Sequence, residues 1–148
     1  MQAIPYMLAA IAVGVLVAAQ PPLNAIVSRA VGSAMGASAI QIFVALFFAL
    51  VIVVVTGSGE INRATLSTVP WWAYFAGIFG ALFVVSGVVI APVTGALVFF
   101  VCIIAGQLLG SMLADHFGAF GLAVREISLP RVIGFVLVLV GAVLVGKY

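Results

Sequence analysis

The sequence predicts an all-α integral membrane protein, a five-transmembrane-helix bundle. Two observations carry the helical membrane class. Of 148 residues, 67% are hydrophobic and only 5% charged, whereas a water-soluble domain carries roughly a quarter charged residues. No core of a 15.2 kDa chain can hide that much apolar surface, so lipid must be the solvent. The second observation is the length of the apolar runs. A stretch such as AIQIFVALFFALVIVVV far exceeds the roughly ten residues of a barrel strand and does not alternate. A bilayer requires helices of about 20 apolar residues, because every backbone polar group must find its partner inside its own segment.

Five spans follow, within one transmembrane domain covering 1–148. The first is placed at about 4–27, and near its end VAAQPPLNAIV sets Pro21 and Pro22 between Gln20 and Asn24. Proline lacks an amide hydrogen, so the carbonyls of Val17 and Ala18 lose their helical partners and a helix break or bend is expected there. No Lys or Arg precedes this run, so it reads as a span and not as a signal peptide. The Gly/Ser-rich turn RAVGSAMGAS leads to a second span at about 37–55. The most polar loop follows, TGSGEINRATLSTVP, with Glu60, Asn62 and Arg63.

Pro70 suits the first turn of a third span at about 71–90, and Trp71, Trp72 and Tyr74 form an interfacial belt. The residues from 70 to 115 are too many for one span, and Pro92 and Gly95 in IAPVTGA divide them. The fourth span is therefore placed at about 94–114. A 16-residue connector, DHFGAFGLAVREISLP, precedes the fifth at about 131–145.

An odd number of spans puts the two ends on opposite faces. Arg63, Arg125 and Arg131 fall on the side of the N-terminus, and Arg29 and Lys147 on the other. Lys/Arg imbalance in short loops sets orientation, and three against two is almost none. Insertion in both orientations is one expectation, giving an antiparallel dimer about a two-fold axis in the membrane plane. A fixed topology set by the first span is the other.

Small residues at helical spacing mark faces where membrane helices pack. Gly14 follows Ala10 and precedes Ala18 on the first span. Gly80 and Gly87 repeat on the third, Gly106 and Gly110 on the fourth, Gly134 and Gly141 on the fifth. The polar residues say more. Gln20 and Asn24 share one face of the first helix, Gln41 starts the second, Ser86 ends the third, and Gln107, Ser111 and Asp115 repeat every four residues on the fourth. Polar groups at depth face a bundle interior or a watery cavity. Gln20, Asn24 and Gln107 are the leading substrate contacts, with Gln41, Ser86 and Ser111 in support.

Absences narrow the function further. The acids are Glu60, Asp115 and Glu126, none of them in mid-span, so a buried proton-exchanging carboxylate is missing. Asp115 and His116 are the only titratable pair near the bilayer; they couple protons or form a solvated cap. Cys102 has no partner cysteine and suits packing. With no nucleophile arrangement and no metal spacing, neither an enzyme nor a cofactor or metal is expected. A net charge of +2 is too small to imply nucleic acid.

The combination of QPPLNA, APVTGA, GQLLGSMLADHFGAFG and a final glycine-rich helix resembles the YdcZ-like family of the drug/metabolite transporter (DMT) superfamily. The resemblance covers nearly the whole chain. It implies a bacterial inner (cytoplasmic) membrane location and half of an inverted-repeat transporter fold, a half-transporter paired with a second copy or a close paralogue. It also implies functional weight for Gln20, Asn24, Gly106, Gln107, Asp115, His116, Phe117 and Gly118. The related small multidrug resistance exporters form antiparallel dimers around a first-helix glutamate. This first helix carries no acid, which argues against export of cationic drugs. The expected partners are the lipid bilayer, the antiparallel second chain and a small polar or amphiphilic organic solute. The rival expectation is a non-transporting scaffold or accessory subunit of another complex.

Overall fold

The computed structural model describes residues 3–147, and among these it contains no strand. Five helical segments are long and apolar enough to cross a membrane: Ile4–Val31, Ala34–Thr56, Trp71–Thr94, Ala96–Phe117 and Leu129–Lys147. Their outer faces are as apolar as lipid requires, with Val54 79% and Val93 84% exposed. The chain forms two compact units, one reaching to Val93 and the other starting at Thr94.

In the first unit the first span consists of α1 (Ala3–Ala18) and α2 (Gln20–Val31). The interruption is one residue wide. Ala19 keeps right-handed helical dihedrals, φ −77° and ψ −16°, so the backbone passes from α1 to α2 without unwinding. The interruption lies just before Pro21 and Pro22, next to the carbonyls of Val17 and Ala18 that the missing amide hydrogens would have met. Both prolines sit in the first turn of α2, where amide hydrogens have no helical partner and a ring-fixed φ is already helical. The prolines start the second half of the span; Ala19 is where the first half stops.

Gly32 closes α2 in the left-handed region at φ 67°. Ser33 then caps α3 (Ala34–Thr56), its hydroxyl accepting from the Gly36 amide at 3.0 Å. The tight corner folds α2 back onto α3, and Ala37 and Ser38 at the start of α3 are buried. Small side chains there let the two backbones approach.

The polar loop holds a short helix, α4 (Arg63–Ser67), closed by a capping box between Asn62 and Thr65 at 3.0 and 3.1 Å. A 3-10 turn, Trp71–Tyr74, leads into α5 (Phe75–Thr94). The Tyr74 hydroxyl donates to the Leu66 carbonyl at 3.1 Å, tying the aromatic belt to α4. Pro92 lies inside α5, not at its end. Pro92 forfeits one helical bond, to the Val88 carbonyl, but α5 runs two residues past it and Gly95, at φ 85°, makes the break. The expected end near residue 90 is thus early by one turn.

The second unit is a pair of helices, α6 (Ala96–Phe117) packed on α7 (Leu129–Lys147). Gly118 ends α6 with φ 59°. A Cβ there would lie 2.8 Å from Val124 Cγ2 and 3.2 Å from the Leu122 carbonyl oxygen. Left-handed backbone costs an L-residue roughly 1–2 kcal/mol. Gly118→Ala is therefore expected to destabilise by at least that amount, read as a lowered thermal midpoint in detergent. Gly57→Ala is the control, at φ 60° but with nothing within 4 Å, and should lose only the backbone contribution.

The glycine seams are largely open within each unit. A Cβ at Gly14, Gly80, Gly106, Gly110, Gly134 or Gly141 would meet nothing within 4 Å. Gly87 is buried. Six of the seven notches are therefore unfilled within their own unit, because few helix pairs within each unit come close enough to use them.

Candidate functional site

The polar centre of the first unit is a pair of amides. Asn24 is 8% exposed on α2, and its Nδ2 donates to Oε1 of Gln41 on α3. The placement follows from local structure. Pro21 and Asn24 are three residues apart on α2 and both buried, so the helix start at Gln20 turns Asn24 inward. Gln41 is half-buried one turn beyond Ser38, on the part of α3 that faces α2. Gln20 is half-buried one turn before Asn24. After one hydrogen bond the two amides still hold the Asn24 oxygen and further N–H donors. A solute inserted here would meet acceptors and donors but no charge.

Hydrogen bonds between membrane helices contribute about 0.6 kcal/mol on average. That is too little to account for two amides in an otherwise apolar helix pair, so stability alone explains them poorly.

The other expected residues are divided between the units. Ser86 is half-buried in the first, and its hydroxyl donates to the Phe83 carbonyl at 2.8 Å. Gln107 and Ser111 are exposed on α6 in the second unit. The Ser111 hydroxyl donates to the Gln107 carbonyl, one turn back. Both serines spend their proton on their own helix, a common habit within membrane spans, and keep only acceptor capacity for a solute.

Asp115 and His116 are not bonded to each other among the described residues. Asp115 Oδ2 meets Arg131 Nη1 at 3.4 Å, and the Asp115 carbonyl accepts the Arg125 amide at 2.9 Å. The His116 ring stands edge-on to Phe117, with centroids 5.0 Å apart. Its Nδ1 is buried without a hydrogen-bond partner among the described residues. Sequence reasoning missed Arg131 as a partner for Asp115. The two are 16 residues apart, and only the return of the chain onto α6 brings them together. The signal was a cation at the start of one span and an anion at the end of the one before.

A half-exposed ion pair of this kind contributes on the order of 0–1 kcal/mol. Asp115 lies in the last turn of α6 and Arg131 in the first turn of α7. Both occupy the end whose dipole disfavours their sign, at about 0.3–1 kcal/mol each. Beside them is an open pocket of about 290 Å³, lined by Leu108, Met112 and Phe135 together with Ser111, Asp115 and Arg131.

Comparison with known proteins adds a family. Residues 5–144 match the model of a family described as "Putative inner membrane exporter, YdcZ". Over 91 residues the chain is 32% identical to the "Inner membrane protein YdcZ" of Escherichia coli (strain K12). That match covers 62% of this chain and 58% of the relative's length. No solved structure matches.

Proposed function

This chain belongs to the YdcZ family of multi-pass inner membrane proteins, and we propose that it is a secondary-type transporter working by alternating access. Its cargo is a small polar or amphiphilic organic solute. The observation that carries this reading is the partly buried Asn24–Gln41 amide pair beside an interrupted, proline-bearing span. Interrupted helices with exposed backbone are a recurrent feature of transporter binding sites. Uncharged amides suit a solute held by hydrogen bonds and leave a counter-charged drug without its anchor.

In this reading the working unit is an antiparallel dimer. Three supports point the same way: an odd number of spans among the described residues, a nearly even division of Lys and Arg, and glycine notches left open within each unit. Close approach of helices at small residues is how membrane proteins associate without a hydrophobic drive. The second chain completes the inverted pair, and its α2/α3 amides supply the site's other half.

The test is a thermal-stability screen of the purified protein against a metabolite library, followed by flux measurement in liposomes. A solute at a hundred times its Kd stabilises the folded form by about 2.7 kcal/mol. A true substrate should raise the midpoint of the wild type, leave that of Asn24→Ala unmoved, and cross liposome membranes only with the wild type. Copurification of a stoichiometric unrelated protein, with no solute flux, would favour a scaffold instead.

A further inference from the structure

The groove between α6 and α7 holds two opposite charges that the fold does little to reward. Each is set against its own helix dipole. They meet through a single contact of 3.4 Å, with side chains 36% and 29% exposed. One carboxylate oxygen of Asp115 and most of the Arg131 fork stay free for other partners. The position of Asp115 is nevertheless fixed, because its carbonyl accepts from the amides of both Gly118 and Arg125.

Directly beside the pair the groove turns apolar. Leu108, Met112 and Phe135 line it, and a Cβ added at Gly134, also on its wall, would find open space. The volume of about 290 Å³ equals roughly ten water volumes at ~30 Å³ each. That accommodates a head group and the first part of an acyl chain. The end of one span and the start of the next place the charges at head-group depth, with the apolar part running toward the bilayer centre.

A simple anion entering here would meet Asp115, and a simple cation would meet Arg131. A zwitterion exchanges one long contact for two short ones and leaves the site electrically balanced. We propose that the α6/α7 groove binds a zwitterionic phospholipid carrying a primary ammonium. Its ammonium takes Asp115, its phosphate takes Arg131, and its hydrocarbon lies along Leu108, Met112 and Phe135. This site is separate in sequence and chemistry from the Asn24–Gln41 pair and stands whether or not that pair binds solute.

The experiment is native mass spectrometry of the full chain in detergent. The protein is titrated with dioleoyl phosphatidylethanolamine, dioleoyl phosphatidylglycerol and soluble phosphoethanolamine. The ethanolamine lipid should bind at least tenfold more tightly than the glycerol lipid, and phosphoethanolamine should not compete at matched concentration. Gly134→Leu fills the groove with both charges intact, so it should cut ethanolamine-lipid occupancy at least tenfold without lowering the thermal midpoint. Asp115→Asn should lose the preference for the ethanolamine lipid, and Arg131→Gln should weaken both lipids. Equal binding of the two lipids, or undiminished occupancy in a folded Gly134→Leu, overturns the proposal. Competition by phosphoethanolamine at lipid-like concentration overturns the lipid assignment and points to a free zwitterionic solute.

Discussion

Asn24→Leu is expected to abolish solute flux while leaving a folded protein, and the companion Gln41→Leu to do the same. Each single change strands the other amide in the α2/α3 contact, at a cost of about 1–3 kcal/mol for an unpaired buried group. The double variant removes both polar groups together. Its stability should return to within about 1 kcal/mol of the wild type, since replacing both partners with apolar groups is nearly neutral. Flux should not return. Thermal midpoints and liposome uptake of the four proteins, compared as a cycle, separate a structural bond from a solute contact. A double variant that transports at the wild-type rate would remove the amides from the mechanism.

Orientation supplies the second large effect. Glu60→Lys with Glu126→Lys raises the positive residues on the N-terminal side from three to five, against two on the other. Arg63→Gln with Arg125→Gln lowers them to one, and Gly146→Lys, at an open position, raises the other side to three. Because Lys/Arg bias in short loops directs insertion, the first variant should insert almost wholly one way and the second the other way. A reporter fused to the C-terminus reads the outcome, and the wild type should show signal on both faces. If function requires an inverted pair, each variant alone is inactive and co-expression of the two restores flux. Signal from the wild type on one face only would end the antiparallel reading.

The spans were legible because runs such as AIQIFVALFFALVIVVV admit no other solvent than lipid, and TGSGEINRATLSTVP no other place than a loop. Proline was harder. At 21 and 22 it looks like a breaker when read forward along one helix, and becomes a starter once a second helix begins at Gln20. At 92 its position in the last turn of α5, with Gly95 three residues on, let the helix continue past it. Side-chain partnerships lay beyond the sequence for a geometric reason. Gln20 and Asn24 follow from the helical repeat, but the bond from Asn24 to Gln41 depends on how tightly Gly32 and Ser33 turn the chain. Asp115 with Arg131 depends likewise on a connector whose Gly118 and Phe120 both adopt positive φ. Glycine stripes were visible as spacing, yet spacing does not say which chain fills them.

The single-residue interruption at Ala19 has a mechanical side. Below it, α2 is clamped to α3 by packing and the amide bond; above it, α1 runs for 16 residues with its side chains largely exposed. At 1.5 Å per residue that is a rod of roughly 24 Å, and a swing of about 10° at its pivot carries the far tip by roughly 4 Å. In the proposed alternating-access cycle, a displacement of that size would open or close a passage to one face of the membrane while the Asn24–Gln41 pair stays in place.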